Sequence, residues 1–311
     1  MSKTTIEWTD HSINPIRARD VLTGDVGHYC EKVSTGCKHC YASRLQSRFK
    51  MPAFPGRGKR RKFTEIDGEI DGGYVRIDAH VEVFFDDDKL WEVLRRRKST
   101  RYFWCDMTDL FGWWVPEIWI DRCFAAMALT PQHTHQVLTK RPERMATYVR
   151  DPATLHRLAY HVWWLRRRES DKEELVSMDE IEADLRASWP LPQLWIGTSV
   201  ENQQQADRRI PELLRCLAAV RFLSCEPLLG PLDHQREPAD WIIIGCESGP
   251  QRRPMNLEWA ESIVEQCRGA GVACFVKQLP IDGRVSHDPA EWPEPLRVRQ
   301  FPRPADRSVT S

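Results

Sequence analysis

Trp241-Ile-Ile-Ile-Gly245-Cys246-Glu247-Ser248-Gly249 is the stretch on which the fold reading turns. A short, continuous apolar run ends abruptly in polar and glycine residues. Such a run suits a parallel strand buried on both faces, with the polar tip emerging at its carboxyl end. The same pattern recurs in Tyr102-Phe-Trp-Cys105, His135-Gln-Val-Leu138, Leu194-Trp-Ile-Gly197, Val220-Arg-Phe-Leu223 and Ala273-Cys-Phe-Val276. Helix-like segments lie between the runs. Residues 117–129 carry apolar side chains at helical spacing. Residues 203–219 begin polar and end with Leu213, Leu214 and Leu217. Residues 257–269 follow Asn256, a good N-cap, and stop near Gly269 and Gly271. Strand alternating with helix reads as a β/α barrel or an open parallel sheet. A further strand is expected at Val81-Glu-Val-Phe84, before a helix through Leu90 to Leu94.

The polar tips carry the functional signal. They read Asp106-Met-Thr-Asp109, Thr139-Lys140-Arg141, Thr198-Ser199-Val-Glu201-Asn202, Ser224-Cys225-Glu226-Pro227, Cys246-Glu247-Ser248-Gly249 and Lys277-Gln278. In a parallel β/α architecture the carboxyl ends of the strands meet on one face, where active sites form. A single Asp or Ser after a strand is often only a helix cap. Capping does not call for Glu226, Glu247 and Lys277 as well.

The second signal is Cys30-x6-Cys37-x2-Cys40. Three cysteines within eleven residues point to a metal or cluster site. A zinc knuckle would recruit His28 or His39 as a fourth ligand. An iron–sulfur cluster held by three thiolates would leave one iron open to a non-protein ligand. The carboxylate-rich tips favour the cluster, because a structural knuckle needs no such pocket.

Composition bounds the rest. The 311 residues suffice for one large α/β domain or two small ones. Lys plus Arg and Asp plus Glu both number 45, so a nucleic-acid partner would have to be held by local patches. Basic runs occur at Arg57-Gly-Lys59-Arg60-Arg61-Lys62, Arg95-Arg-Arg-Lys98 and Arg166-Arg-Arg168; the first is the best candidate to meet phosphates. The ten cysteines show no even disulfide spacing, and Cys123, Cys267 and Cys274 read as core. With no signal peptide and no membrane span expected, the reading is cytoplasmic. Residues 51–73 read as a basic surface loop, 147–190 as a helical insertion and 281–311 as an irregular tail on a domain spanning 1–280.

Longer strings carry a resemblance. They are Thr5-Ile-Glu-Trp-Thr-Asp10, Cys30-Glu-Lys-Val-Ser-Thr-Gly-Cys-Lys-His-Cys-Tyr-Ala42, Met107-Thr-Asp-Leu-Phe-Gly112, Leu138-Thr-Lys-Arg-Pro-Glu-Arg144, Ser199-Val-Glu-Asn202, Leu223-Ser-Cys-Glu-Pro-Leu-Leu-Gly230 and Gly245-Cys-Glu-Ser-Gly249. Over nearly its whole length the chain resembles the phage-associated three-Cys-motif family, first annotated on mycobacteriophage proteins and placed near the radical SAM enzymes. The resemblance implies a partial parallel β/α (TIM-like) barrel of the radical SAM type. It also implies a 4Fe–4S cluster on Cys30, Cys37 and Cys40, with S-adenosylmethionine on the open iron. The activity expected from it is reductive cleavage of S-adenosylmethionine, in an enzyme that modifies or repairs nucleic acid. Asp106 or Asp109 would then take the cofactor's amino group and Ser199 its carboxylate or ribose. Glu201, Asn202 and Glu226 would contact ribose or substrate, and Lys140 a carboxylate or phosphate. Glu247 and Lys277 would face the substrate as catalytic groups. An electron donor and a protein partner encoded nearby are the other expected partners. The competing expectation is a non-catalytic zinc- or cluster-bearing binding protein acting with a phage or defence partner.

Overall fold

The structure is a computed structural model that describes residues 2–48, 53–55, 73–169, 176–234 and 239–302. In chain order the first elements are strands β1 (Ser2–Lys3), β2 (His11–Ile13), β3 (Ile16–Asp20) and β4 (Val26–Cys30), then helix α1 (Tyr41–Arg48). Strands β5 (Ala53–Pro55), β6 (Tyr74–Arg76) and β7 (Val81–Phe85) precede α2 (Asp87–Leu94). Strand β8 (Arg101–Trp104) leads to α3 (Glu117–Ala128), and β9 (Thr134–Thr139) to three helices, α4 (Pro142–Arg150), α5 (Ala153–Glu169) and α6 (Met178–Ser188). Then come β10 (Leu194–Ser199), α7 (Gln203–Leu214), β11 (Val220–Cys225), β12 (Trp241–Gly245), α8 (Leu257–Ala270), β13 (Ala273–Ile281) and β14 (Arg284–Ser286).

All six apolar runs are strands, and they lie side by side in sequence order. The large sheet runs β1-β2-β8-β9-β10-β11-β12-β13-β14. Pairing is parallel from β2 to β13. Short antiparallel strands, β1 and β14, form its two edges. The fold is thus mixed α/β with open sheets; these edges do not pair into a closed barrel. Strand β2 has no apolar run to announce it, since His11-Ser-Ile13 is too short to show a period. The expected strand at Val81 is present as β7 but does not join the parallel series. It sits between β3 and β6 in a second, five-stranded sheet ordered β5-β4-β3-β7-β6. Beyond residue 280, where an irregular tail is expected, β14 hairpins back on β13.

Helix ends follow their local chemistry. Asn202 and Asn256 each accept a backbone N–H at the start of α7 and α8, which satisfies donors that a helix leaves open. Gly271 ends α8 at φ 66°, the left-handed conformation that glycine adopts without a Cβ penalty.

The two faces of the large sheet differ. Trp104, Val137, Ile196, Leu223, Ile242, Ile244 and Val276 pack into the main core with the helices. The alternate residues, Phe103, Trp195, Val220, Phe222, Trp241, Ile243 and Phe275, form a separate cluster around Trp8. Strands β8 and β12 lie four spacings apart in the sheet order, roughly 19 Å if it were flat. Yet the Trp8 ring is 4.7 Å from Phe103 and 6.2 Å from Trp241, centroid to centroid. The sheet therefore bends around Trp8. Phe301 closes the same end, against Trp241 at 5.4 Å, with the Arg101 guanidinium 4.4 Å above its ring.

Candidate functional site

Going up the inner face from this aromatic cluster, strand register sets the order of side chains. Trp195 pairs with Val220 and Gly197 with Phe222; one step further, Ser199 pairs with Ser224. The inner face thus turns from aromatic to polar as the strands reach their carboxyl ends. A cavity of about 360 Å³ opens there. Ile6, Trp8, Phe103 and Leu138 form its apolar part, and Asp106, Lys140, Ser199, Ser224, Glu226 and Lys277 its polar part. Residues of the 30–43 segment, including all three motif cysteines and Tyr41, cover it.

Two arginine–carboxylate pairs hold that cover down. Glu201 accepts from the Gly36 amide at 3.1 Å and from Arg209 Nη1 at 3.0 Å. Both side chains of this ion pair are 2% exposed. Burial raises the Glu201 carboxyl, but Ser34, Arg209, the Gly36 amide and Lys140 outweigh it and hold it below its ordinary value. Burial pulls the Arg209 guanidinium below its ordinary value, against the raising by Glu201. Gly36 sits tight against the carboxylate: a Cβ there would lie 3.0 Å from Glu201 Cδ, so Glu201 would have to shift to admit it. On the other side Glu247 accepts from Arg253 N at 2.8 Å and Nε at 2.9 Å, and Arg253 Nη1 donates to the Thr35 carbonyl at 2.9 Å.

Most tip residues expected to meet a cofactor are thus already engaged with protein. Asp109 accepts from Thr139 Oγ1 at 2.6 Å, Lys140 N at 3.1 Å and Arg141 Nη1 at 2.8 Å, knotting β8 to β9. Asn202 caps α7, the structural role open to any such residue. Glu226 pairs with Lys277. Glu247 serves Arg253. Asp106 accepts from Asn14 Nδ2 at 2.5 Å, and Tyr41 Oη donates to its carbonyl at 2.6 Å. Burial pushes the Asp106 carboxyl above its ordinary value, against the lowering by Asn14, Ser12 and Tyr41. Cys105, just before it, has φ 58°, uncommon for a residue with a Cβ. Lys140 differs from the rest. Its ammonium donates to Ser199 Oγ at 3.2 Å, and among the described residues it makes no ion pair.

The cluster expectation is corrected here. Among the described residues no group of three or more His, Cys, Asp or Glu side chains is placed to hold a metal ion. Cys30, Cys37 and Cys40 are free thiols in unlike settings. Cys30 ends β4 and its Sγ points to the Glu31 carbonyl at 3.8 Å; burial, with Asp109 beside it, pushes its thiol up. Burial also raises Cys37, but Lys140 and the backbone at Val33 and Ser34 outweigh it and hold the thiol below its ordinary value. The 4Fe–4S cluster, S-adenosylmethionine bound to it, the radical SAM activity and the zinc-knuckle alternative all fall with that finding. The spacing that suggested ligands reflects a strand end, a 3₁₀ turn (Thr35–Cys37) and the start of α1.

The basic run Arg57, Lys59, Arg60, Arg61 and Lys62 lies outside the described residues. No helix among the described residues is long and apolar enough to cross a membrane. Sequence reasoning missed Arg209, Arg253 and Tyr41, whose partners are remote: Arg253 reaches a carbonyl 218 positions away. Tyr41 carried a signal, its place directly after Cys40. Comparison with known proteins adds one result. A family described as a protein of unknown function (DUF5131) matches residues 3–290, and the chain belongs to that family. No curated protein and no solved structure matches it.

Proposed function

We propose that this member of the family binds a small organic anion, a carboxylate or phosphate ester with an apolar body, in the cavity at the carboxyl ends of its strands. The observation that carries this reading is Lys140, an ammonium that makes no ion pair among the described residues and lines a cavity whose walls include Trp8 and Phe103. Enclosed, largely apolar pockets with a few convergent polar groups are the usual form of small-molecule sites. An anion beside Lys140 would also meet the Ser199 and Ser224 hydroxyls, with the apolar body against Phe103 and Leu138. The Lys277–Glu226 pair lines the same cavity. In this reading the bent sheet serves as part of a β/α barrel, with ligand at the carboxyl face as barrels have it. Ten free cysteines support a reducing compartment, the cytoplasm. Arg57 to Lys62 is kept as the candidate contact for a nucleic-acid partner, on composition alone.

The test is titration calorimetry with a panel of carboxylates and phosphate esters, on the wild type and Lys140→Gln. At least one compound should bind the wild type and lose tenfold or more in the variant. A panel that binds neither protein, or both equally, removes the reading.

A further inference from the structure

Four cations gather at the mouth of the cavity, and among the described residues none of them makes an ion pair. Lys32 is exposed and also lines the cavity, so it marks the opening. Its Nζ lies 3.5 Å from the Lys38 carbonyl, which sets the exposed Lys38 beside it. Arg44 on α1 and Arg252, between β12 and α8, meet at Gly249. Arg44 Nη2 donates to Ser248 Oγ at 3.1 Å, and its guanidinium fills the space that a Cβ on Gly249 would need. Arg252 Nη1 donates to the Gly249 carbonyl at 3.4 Å and Nη2 to the Gly283 carbonyl. Gly249 has φ 101°, so both its backbone and the space beside it call for glycine. The Arg253 bond to the Thr35 carbonyl ties the two pairs together, since Thr35 lies between Lys32 and Lys38 in the chain. The carboxylates of the same segments, Glu31 and Glu247, are taken by Arg141 and Arg253.

We propose that this surface binds single-stranded nucleic acid, with backbone phosphates on Lys32, Lys38, Arg44 and Arg252. The inference goes beyond the anion reading, since Lys140 lies inside the cavity and these groups stand at its opening. In a chain whose formal charge is zero, four cations without carboxylates make a local positive patch, the footprint that attracts a polyanion. They are spread over two segments and do not converge on one point. That suits successive phosphates of a strand better than one isolated phosphate. Two of the four are guanidinium groups, which match phosphate by paired N–H bonds. Val33, next to Lys32, is 40% exposed, and Leu45, next to Arg44, is 37% exposed. A single strand bares its base faces, and these side chains give them apolar surface beside the cations; a duplex keeps its bases stacked inside.

The experiment follows, by fluorescence anisotropy over a range of salt, the binding of a labelled oligothymidylate of about 12 nucleotides to the full chain. The proteins are the wild type, Lys32→Gln/Lys38→Gln, Arg44→Gln and Arg252→Gln, with Arg186→Gln on α6 as the control. The same strand annealed to its complement, and poly-glutamate, serve as competitors. The wild type should bind with a slope of log affinity against log salt of roughly −3, about 0.7 for each phosphate contact. The lysine double variant should bind more weakly and flatten that slope by about 1.4, and each arginine variant by about 0.7. Arg186→Gln should match the wild type. A strand that binds every variant alike, or binds none, overturns the inference. So does a duplex or poly-glutamate that competes as well as the strand, the second result assigning the surface to an acidic protein. The anion reading is judged apart, by the carboxylate and phosphate-ester panel on Lys140→Gln, and either reading can fail without the other. Lys32 and Lys38 are exposed, so their double variant keeps the question decidable should an arginine variant not fold.

Discussion

The two ends of the same strands are built on opposite principles. At the amino end, Trp8, Phe103, Phe222, Trp241, Phe275 and Phe301 fill the bend of the sheet with rings. At the carboxyl end, five carboxylates crowd around a cavity, and each is held by protein donors. The first end is stabilised by area removed from water. The second is a polar network whose members hold one another, where the loss of one partner leaves another buried and charged. The difference teaches that a polar strand tip is not by itself a ligand site. In this chain the tip carboxylates are engaged by protein donors, Glu201 and Glu247 among them tied to the 30–43 segment, and among the described residues Lys140 makes no ion pair.

Variants at each end test that contrast. Trp241→Ala should cost the most, about 3–5 kcal/mol, because it empties a fully buried position against which five rings pack. Urea unfolding measures it; a cost under about 1 kcal/mol would mean the rings do not hold the bend. Arg209→Met should cost about 3 kcal/mol at neutral pH by leaving the Glu201 carboxylate buried without its cation. Its acid limb adds a second readout. Glu201 titrates below its ordinary value in the folded state, so its stabilisation is complete above about pH 4.3 and is lost as pH falls through the lower folded value. Without Arg209 the folded value rises toward or past the unfolded one, so the loss of stability on acidification should be smaller than in the wild type. An unchanged pH profile would show that Ser34 and Gly36 hold the carboxylate alone. Gly36→Ala should cost the least, about 1–3 kcal/mol, as its methyl displaces Glu201. It should also speed proteolysis within the 30–43 segment; protection equal to the wild type would separate that cover from Glu201.

Much of this architecture could be read from the chain. The six apolar runs announced the parallel strands, because β8 to β13 are buried on both faces and need no alternation. Asn256 and Gly271 marked the limits of α8. The site was less legible for a physical reason: its geometry depends on partners far apart in sequence. Nothing near Glu201 says that Gly36, 165 positions earlier, will donate to it. Nothing near Glu247 says that Arg253 will link it to Thr35. The Cys30, Cys37 and Cys40 spacing was read as a ligand set because local spacing was all that could be seen, whereas the surroundings of Cys30 and Cys37 come from Asp109 and Lys140, beyond the carboxyl ends of β8 and β9.

The closure under the bent sheet has a consequence for how the protein is made. Glu7 meets His287 across 280 positions, and Phe301 seals rings that belong to β12 and β13. At about 5–20 residues per second, roughly a quarter of a minute to a minute separates synthesis of those two partners on a ribosome. Until then the nascent chain has Trp8 and Phe103 in hand but lacks the last strands that enclose them. The interior of the bend is therefore completed last, and the unfinished chain exposes its stickiest surface for the longest time.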